Sequence, residues 1–151
     1  LKKERGKMPI HTAFVMERPY EEIEIGDSAS ITKTITEADV VNYAGIIGDF
    51  NPVHVDAEFA RTTMFGERLA HGMLTASFIS TLVGRCMPGI NGIYLSQELK
   101  FLKPVKIGDT ITARAEVIGK IDEKRRLIVK TTVANQRGEL VIDGKAVTKV
   151  F

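Results

Sequence analysis

Apolar and polar positions along the chain fall into two regimes. From Thr36 to Cys86 the apolar residues recur at helical spacing, and beyond Gly92 they alternate. Val40, Tyr43, Ala44 and Ile47 share one helical face, and Thr36 followed three residues later by Asp39 marks a helix start. A helix is therefore expected from there to Gly48, where it stops. Asp56 caps a short second helix carrying Phe59, Ala60 and Thr63, after which Phe65-Gly66-Glu67-Arg68 is a loop. A third helix runs from Gly72 to about Cys86 and ends at Pro88-Gly89. Met73, Leu74, Phe78, Ile79, Leu82 and Val83 cover more than one of its faces, between the small residues Ala76, Ser77 and Ser80. Such a helix is predicted to be enclosed by other structure.

In the second regime Ile111, Ala113, Ala115 and Val117 alternate with Thr112, Arg114 and Glu116. Leu127, Val129, Thr131 and Val133 alternate with Ile128, Lys130 and Thr132, so each stretch is a strand with one buried face. Turns at Gly108-Asp109, around Asp122 to Arg125 and at Arg137-Gly138 join long strands antiparallel. Two shorter strands, Tyr20 to Ile25 and Ala29 to Ile35, are expected ahead of the first helix, separated by Gly26-Asp27. Helices followed by strands make an α+β protein. A curved antiparallel sheet wrapped around one long buried helix satisfies both patterns.

Composition narrows the function. The 151 residues make one domain, here 19–151, preceded by a basic arm over 1–18 with Lys2, Lys3, Arg5 and Lys7. Twenty-one basic against nineteen acidic side chains leave a charge of +2, too balanced for nucleic acid or an anionic membrane to be the main partner. The arm and the Lys124, Arg125, Arg126 cluster are solvated faces on this view. With no long apolar run, no signal-like start and the lone Cys86, which excludes an internal disulfide, a soluble cytoplasmic protein is expected. Cys86 ends an apolar stretch with no base spaced to support it, and is read as a buried inert thiol.

The chemistry concentrates in Gly48-Asp49-Phe50-Asn51-Pro52-Val53-His54. It sets a carboxylate and an imidazole five residues apart across a turn forced by Asn51-Pro52, so the two can converge as an acid/base pair. Ala70-His71-Gly72-Met73-Leu74 then opens the apolar helix with unspent backbone N–H groups. The Gly72 amide is the candidate donor to an oxyanion. His71 is read as a structural helix-start group bonded to backbone, and Asp56 as a cap. His11, His54 and His71 are not spaced as metal ligands and no zinc-type cysteine pattern is present, so no metal is expected.

Tyr43-Ala44, the run Gly48 to Asp56, Ala60, Ala70 to Leu74, Ile93-Tyr94-Leu95, Phe101-Leu102-Lys103-Pro104-Val105 and Gly108-Asp109 together resemble the signature of the MaoC-like (R)-specific enoyl-CoA hydratases. The resemblance spans roughly residue 20 to the carboxyl terminus. It implies a hot-dog fold, usually dimeric, in which Asp49 and His54 hold the water added across a trans-2-enoyl thioester to give the (R)-3-hydroxyacyl product, or run the reverse dehydration. Asn51 then orients the turn, Ser80 matches a family position two turns along the central helix, and coenzyme A is part of the substrate, with no separate cofactor. Ile47 departs from the family, many members of which place a small or hydroxylated residue there.

Three readings compete with a hydratase of coenzyme A thioesters. A (3R)-hydroxyacyl-[acyl-carrier-protein] dehydratase keeps the fold and dyad but changes the carrier. A thioesterase is disfavoured by the Asn-Pro-His turn. A non-catalytic acyl-CoA-binding module that reports to DNA would need more than the short arm, which is too small for a helix-turn-helix.

Overall fold

The computed structural model describes residues 15–151, so His11 and the basic residues of the arm before it lie outside the described part. Five strands, β1 (Ser28–Thr34), β2 (Gly92–Phe101), β3 (Thr110–Ile121), β4 (Arg126–Ala134) and β5 (Leu140–Val150), form one antiparallel sheet in the order β1-β3-β4-β5-β2. Four helices precede β2: α1 (Glu37–Ile47), α2 (Pro52–Val55), α3 (Ala57–Thr62) and α4 (Gly72–Cys86). The sheet wraps α4, and the fold is the hot-dog that the resemblance implies.

The alternation in the sequence is the cause of this packing. Ile111, Ala113, Ala115 and Val117 on β3 and Leu127, Val129, Thr131 and Val133 on β4 all face inward with 0–1% exposure, and meet Leu74, Ile79 and Leu82 of α4 in one core. Each large apolar side chain buried this way contributes roughly 1.5–3 kcal/mol. The sheet and helix hold the fold, leaving the connections between them free for chemistry.

Three expectations need correction. Tyr20 to Ile25 is not a strand: Tyr20–Glu22 is a 3-10 turn. The ring of Tyr20 is clamped by the Lys120 ammonium 4.1 Å from its centroid and its hydroxyl donates to Asp122, both from the distant β3–β4 hairpin, so long-range contacts override local strand propensity. The Asn51-Pro52 turn contains a helical turn of its own, α2, because Asn51 Oδ1 accepts from the Val53 amide and proline suits the first helical position. Helix α4 is not enclosed on every side by the described residues. Met73, Ser77, Ser80 and Gly84 form an exposed stripe at helical spacing.

Residues 16–18 are tied to the C-terminal end of α4 and the loop after it. The Met16 amide donates to Arg85 O, Asn91 bonds the Arg18 backbone on both sides, and the Arg18 guanidinium meets Asp27 at 2.5 Å.

Candidate active site

Helix α1 ends at Gly48, whose φ of 79° is the left-handed conformation open to glycine, and its amide donates to Ala44 O at 2.8 Å. That stop turns the chain so that Asp49 leaves the helix axis. The Asp49 Oδ1 then accepts the Asn51 amide at 3.1 Å, and the single turn of α2 carries His54 back toward it. The result is Asp49 Oδ2 at 3.9 Å from His54 Nε2. At that separation the two do not bond directly, and one water molecule has room to bond both.

The tautomer of His54 follows from its other contact. His54 Nδ1 lies 2.8 Å from Leu69 O, and a carbonyl can only accept, so Nδ1 carries a hydrogen, which in the neutral imidazole leaves Nε2 as the acceptor facing Asp49. The 69–70 segment is itself fixed, with the Leu69 amide on Val53 O and the Ala70 amide on Val105 O. Asp49 keeps 47% of its side chain exposed and His54 only 13%. A half-exposed pair at this distance stabilises a fold by at most about 1 kcal/mol. The pair is therefore poorly explained as a structural feature.

His71 stands directly behind the dyad and is almost fully buried, at 3% exposure. It occupies the cap position of α4 yet makes no side-chain bond to that helix. Instead Nε2 donates to the backbone oxygen of Asp49 at 3.0 Å, the ring stacks on His54 with centroids 3.8 Å apart, and Tyr43 meets its edge at 5.2 Å. Its Nδ1 is buried with no partner among the described residues, at a cost of roughly 1–3 kcal/mol for an unsatisfied polar atom. The expected backbone bond is present, and it goes to the carbonyl of the dyad aspartate itself.

Folding also overturns the spacing argument about metals. Asp49, His54 and His71 bring one ligand-type atom each to within 4.8 Å of one another, although the two histidines are far apart in sequence. The rings, however, are stacked with planes 26° apart, so their in-plane lone pairs run side by side and do not meet at a point. The nitrogens facing Leu69 O and Asp49 O are already spent.

Gly72 opens α4, and its amide makes no hydrogen bond among the described residues. A Cβ there would lie 2.9 Å from Phe101 Cε1, so the space beside the glycine is filled by an aromatic ring. A cleft of about 260 Å³ is lined by Ile47, Asp49, His54, His71, Gly72, Met73 and Phe101. On the other side of Phe101 a second, of about 340 Å³, reaches from His54 and Gly72 past Phe65 to Lys103. Phe101, a residue that sequence reasoning noted only as part of a motif, divides the two.

The remaining candidates sit further out. Asn51 is bonded within the turn as the cap of α2, which explains its place without a ligand. Ser80 lies about 12 Å along α4 from Gly72 at the helical rise per residue. It lines a separate cavity with Met73, Tyr94 and Gln97, so Met73 is the residue that this cavity shares with the dyad cleft. Asp56 caps α3 by accepting the Phe59 amide at 3.0 Å, as expected. Cys86 is half-buried, and burial pushes its thiol up against the opposing charges of Arg18 and Arg85. It is a poor nucleophile on that account.

The chain is similar to known proteins over most of its length. The chain is 47% identical over 131 residues to an (R)-specific enoyl-CoA hydratase of Rhodospirillum rubrum, covering 87% of this chain and 90% of the relative. It is 36% identical to a mitochondrial 3-hydroxyacyl-[acyl-carrier-protein] dehydratase of Arabidopsis thaliana, over 82% of this chain and 75% of that protein. The unliganded R-hydratase of Pseudomonas aeruginosa superposes with a TM-score of 0.86 at 44% identity, covering 90% of this chain and 87% of that one. A family model described as MaoC like domain matches residues 22–138, and with it the capped turn, the stacked histidines and the wrapped helix find their common frame: the chain belongs to the MaoC-like domain family.

Proposed function

We propose that this protein is a hydro-lyase that adds water across the C2–C3 double bond of a trans-2-enoyl-CoA to give the (R)-3-hydroxyacyl-CoA, or runs the same reaction in reverse. The observation that carries the proposal is the Asp49–His54 pair 3.9 Å apart, with His54 Nε2 facing Asp49 beside a helix amide that has no partner among the described residues. Water is a weak nucleophile, so the pair holds it and accepts one of its protons as its oxygen bonds C3. A proton from the same pair goes to C2, and the two coupled groups end as they began. Negative charge meanwhile builds on the thioester oxygen. The Gly72 amide, at the positive end of α4, is aimed to stabilise that charge more in the transition state than in the bound substrate. The addition involves no net oxidation or reduction, so it calls for no redox cofactor, and coenzyme A enters as part of the substrate.

Two further features fit this function. Strands β1 and β2 are the sheet edges, and Ile93 and Leu95 on β2 are exposed together with the open stripe of α4. A second copy that joins edge to edge would cover both, and light scattering at the mass of one chain would contradict such a homodimer. Among the described residues no helix is long and apolar enough to cross a membrane, and a cytoplasmic site of action suits a substrate on coenzyme A.

The test is hydration of crotonyl-CoA followed by loss of enoyl absorbance, with product chirality read by coupling to dehydrogenases of opposite stereospecificity. The (R)-product is expected; the (S)-product, or no turnover, would refute the assignment. The likeness to the plant dehydratase supports a second carrier, so the same assay on crotonyl-[acyl-carrier-protein] decides between them by kcat/KM.

A further inference from the structure

We propose that His71 is a positioning residue for the reaction. Its single ring locks the Asp49 backbone, the His54 imidazole and the Gly72 amide into one arrangement. The inference rests on the hydratase reading above and adds a residue to it.

Three observations point the same way. His71 sits where a helix cap belongs, but its side chain gives nothing to α4. The polar ring is buried with Nδ1 unpartnered among the described residues, an expense that a leucine or phenylalanine filling the same space would avoid. Mere packing or capping explains neither fact. What the ring does instead is donate from Nε2 to the Asp49 carbonyl, 22 residues away in sequence, while its face lies flat on His54. The donor fixes where Asp49 leaves α1, and the stack fixes the plane in which His54 presents Nε2.

The third tie is covalent. Gly72 is the next residue, so the amide that faces the oxyanion is oriented by the same backbone that carries the ring. Tyr43, edge-on to His71 from α1, closes the fourth side of the ring. Acid, base and oxyanion donor come from three separate elements, and the dyad side chains alone do not hold them together, since Asp49 and His54 do not bond each other at 3.9 Å. A loss of alignment of about 1 Å can lower a rate about a hundredfold. His71 touches no reacting atom in this scheme and acts through the residues that do.

Two variants divide its contacts. His71→Phe keeps the ring and its stack but loses the donor, and His71→Gln keeps a donor but loses the stack. Each is expected to lower kcat on crotonyl-CoA by about tenfold to a hundredfold while KM changes less than threefold and the thermal midpoint stays within a few degrees of wild type. A second readout needs no substrate: carbon-13 relaxation at His54 Cε1, assigned with His54→Ala, is expected to show a more mobile ring in His71→Gln and an unchanged one in His71→Phe. Kcat retained within threefold in both variants, or losses that track the unfolded fraction, would overturn the proposal. So would a His54 ring equally ordered in His71→Gln. Wild-type protein inactive on every enoyl thioester would refute the hydratase reading, and the relaxation data would still decide whether His71 orders His54.

Discussion

Helices α1 and α4 begin in opposite ways. At α1 the Thr36 hydroxyl accepts the Asp39 amide at 3.2 Å and the Asp39 carboxylate accepts the Thr36 amide at 2.8 Å, with Lys33 closing on that carboxylate at 2.9 Å. Two backbone donors that the helix leaves over are satisfied by its own side chains. At α4 the cap residue is a buried histidine turned away from the helix, and the Gly72 amide has no partner among the described residues. One start is finished for stability, the other is left open beside the dyad. On the proposed function, the N-terminus without its local cap, next to the dyad, is where the thioester oxygen binds.

Substitution at the open start is expected to have the larger consequence. Gly72→Ala places a Cβ 2.9 Å from Phe101 Cε1, so the ring must swing into one of the two clefts it separates. Turnover of crotonyl-CoA should fall by about tenfold or more with little change in stability, because a sub-ångström shift beside the reacting atoms counts heavily in rate and hardly at all in folding. Adding Phe101→Ala to Gly72→Ala should restore part of the loss if the ring transmits it. No recovery in the double variant would assign the effect to the amide itself.

At the closed start the consequence is smaller and of another kind. Thr36→Ala is expected to cost about 1 kcal/mol, a fall of roughly 2–4 °C in Tm, with kcat unchanged. Asp39 adds a pH signature. Burial alone would raise its carboxyl, but the Thr36 amide, Lys33 and the Thr36 hydroxyl hold it below its ordinary value of 3.8. A depressed carboxyl contributes stability that is fully present above the ordinary value and is lost as pH falls through the lowered one. Asp39→Asn should therefore be less stable than wild type at neutral pH, with the gap closing as pH falls below 3.8 and through the lowered value. A gap that persists there, or a loss of turnover in Thr36→Ala, would blur the distinction between the two starts.

What the sequence made legible follows the range of the forces involved. The capping box of α1, the stop at Gly48, the Asp56 cap and the inward alternation of β3 and β4 are all set by residues within a few positions of one another, and each stands where the pattern predicts. Asp49 and His54 were legible for the same reason, since one short turn joins them. Tyr20 was misread because its partners, Lys120 and Asp122, lie a hundred residues away. The His54–His71 stack and the seat of Phe101 against Gly72 also form only when distant segments meet, and no spacing rule contains them. The exposed stripe of α4 was hidden by a pattern that cannot say which faces the chain's own sheet covers.

The most direct measurement is the rate of crotonyl-CoA hydration by wild type, Asp49→Asn and His54→Ala at equal folded concentration, with circular dichroism confirming the fold of each. If the pair holds and deprotonates water, each variant should lose about a hundredfold to ten-thousandfold in kcat while remaining folded. Hydration that persists within about threefold of wild type in either folded variant would contradict a mechanism centred on Asp49 and His54.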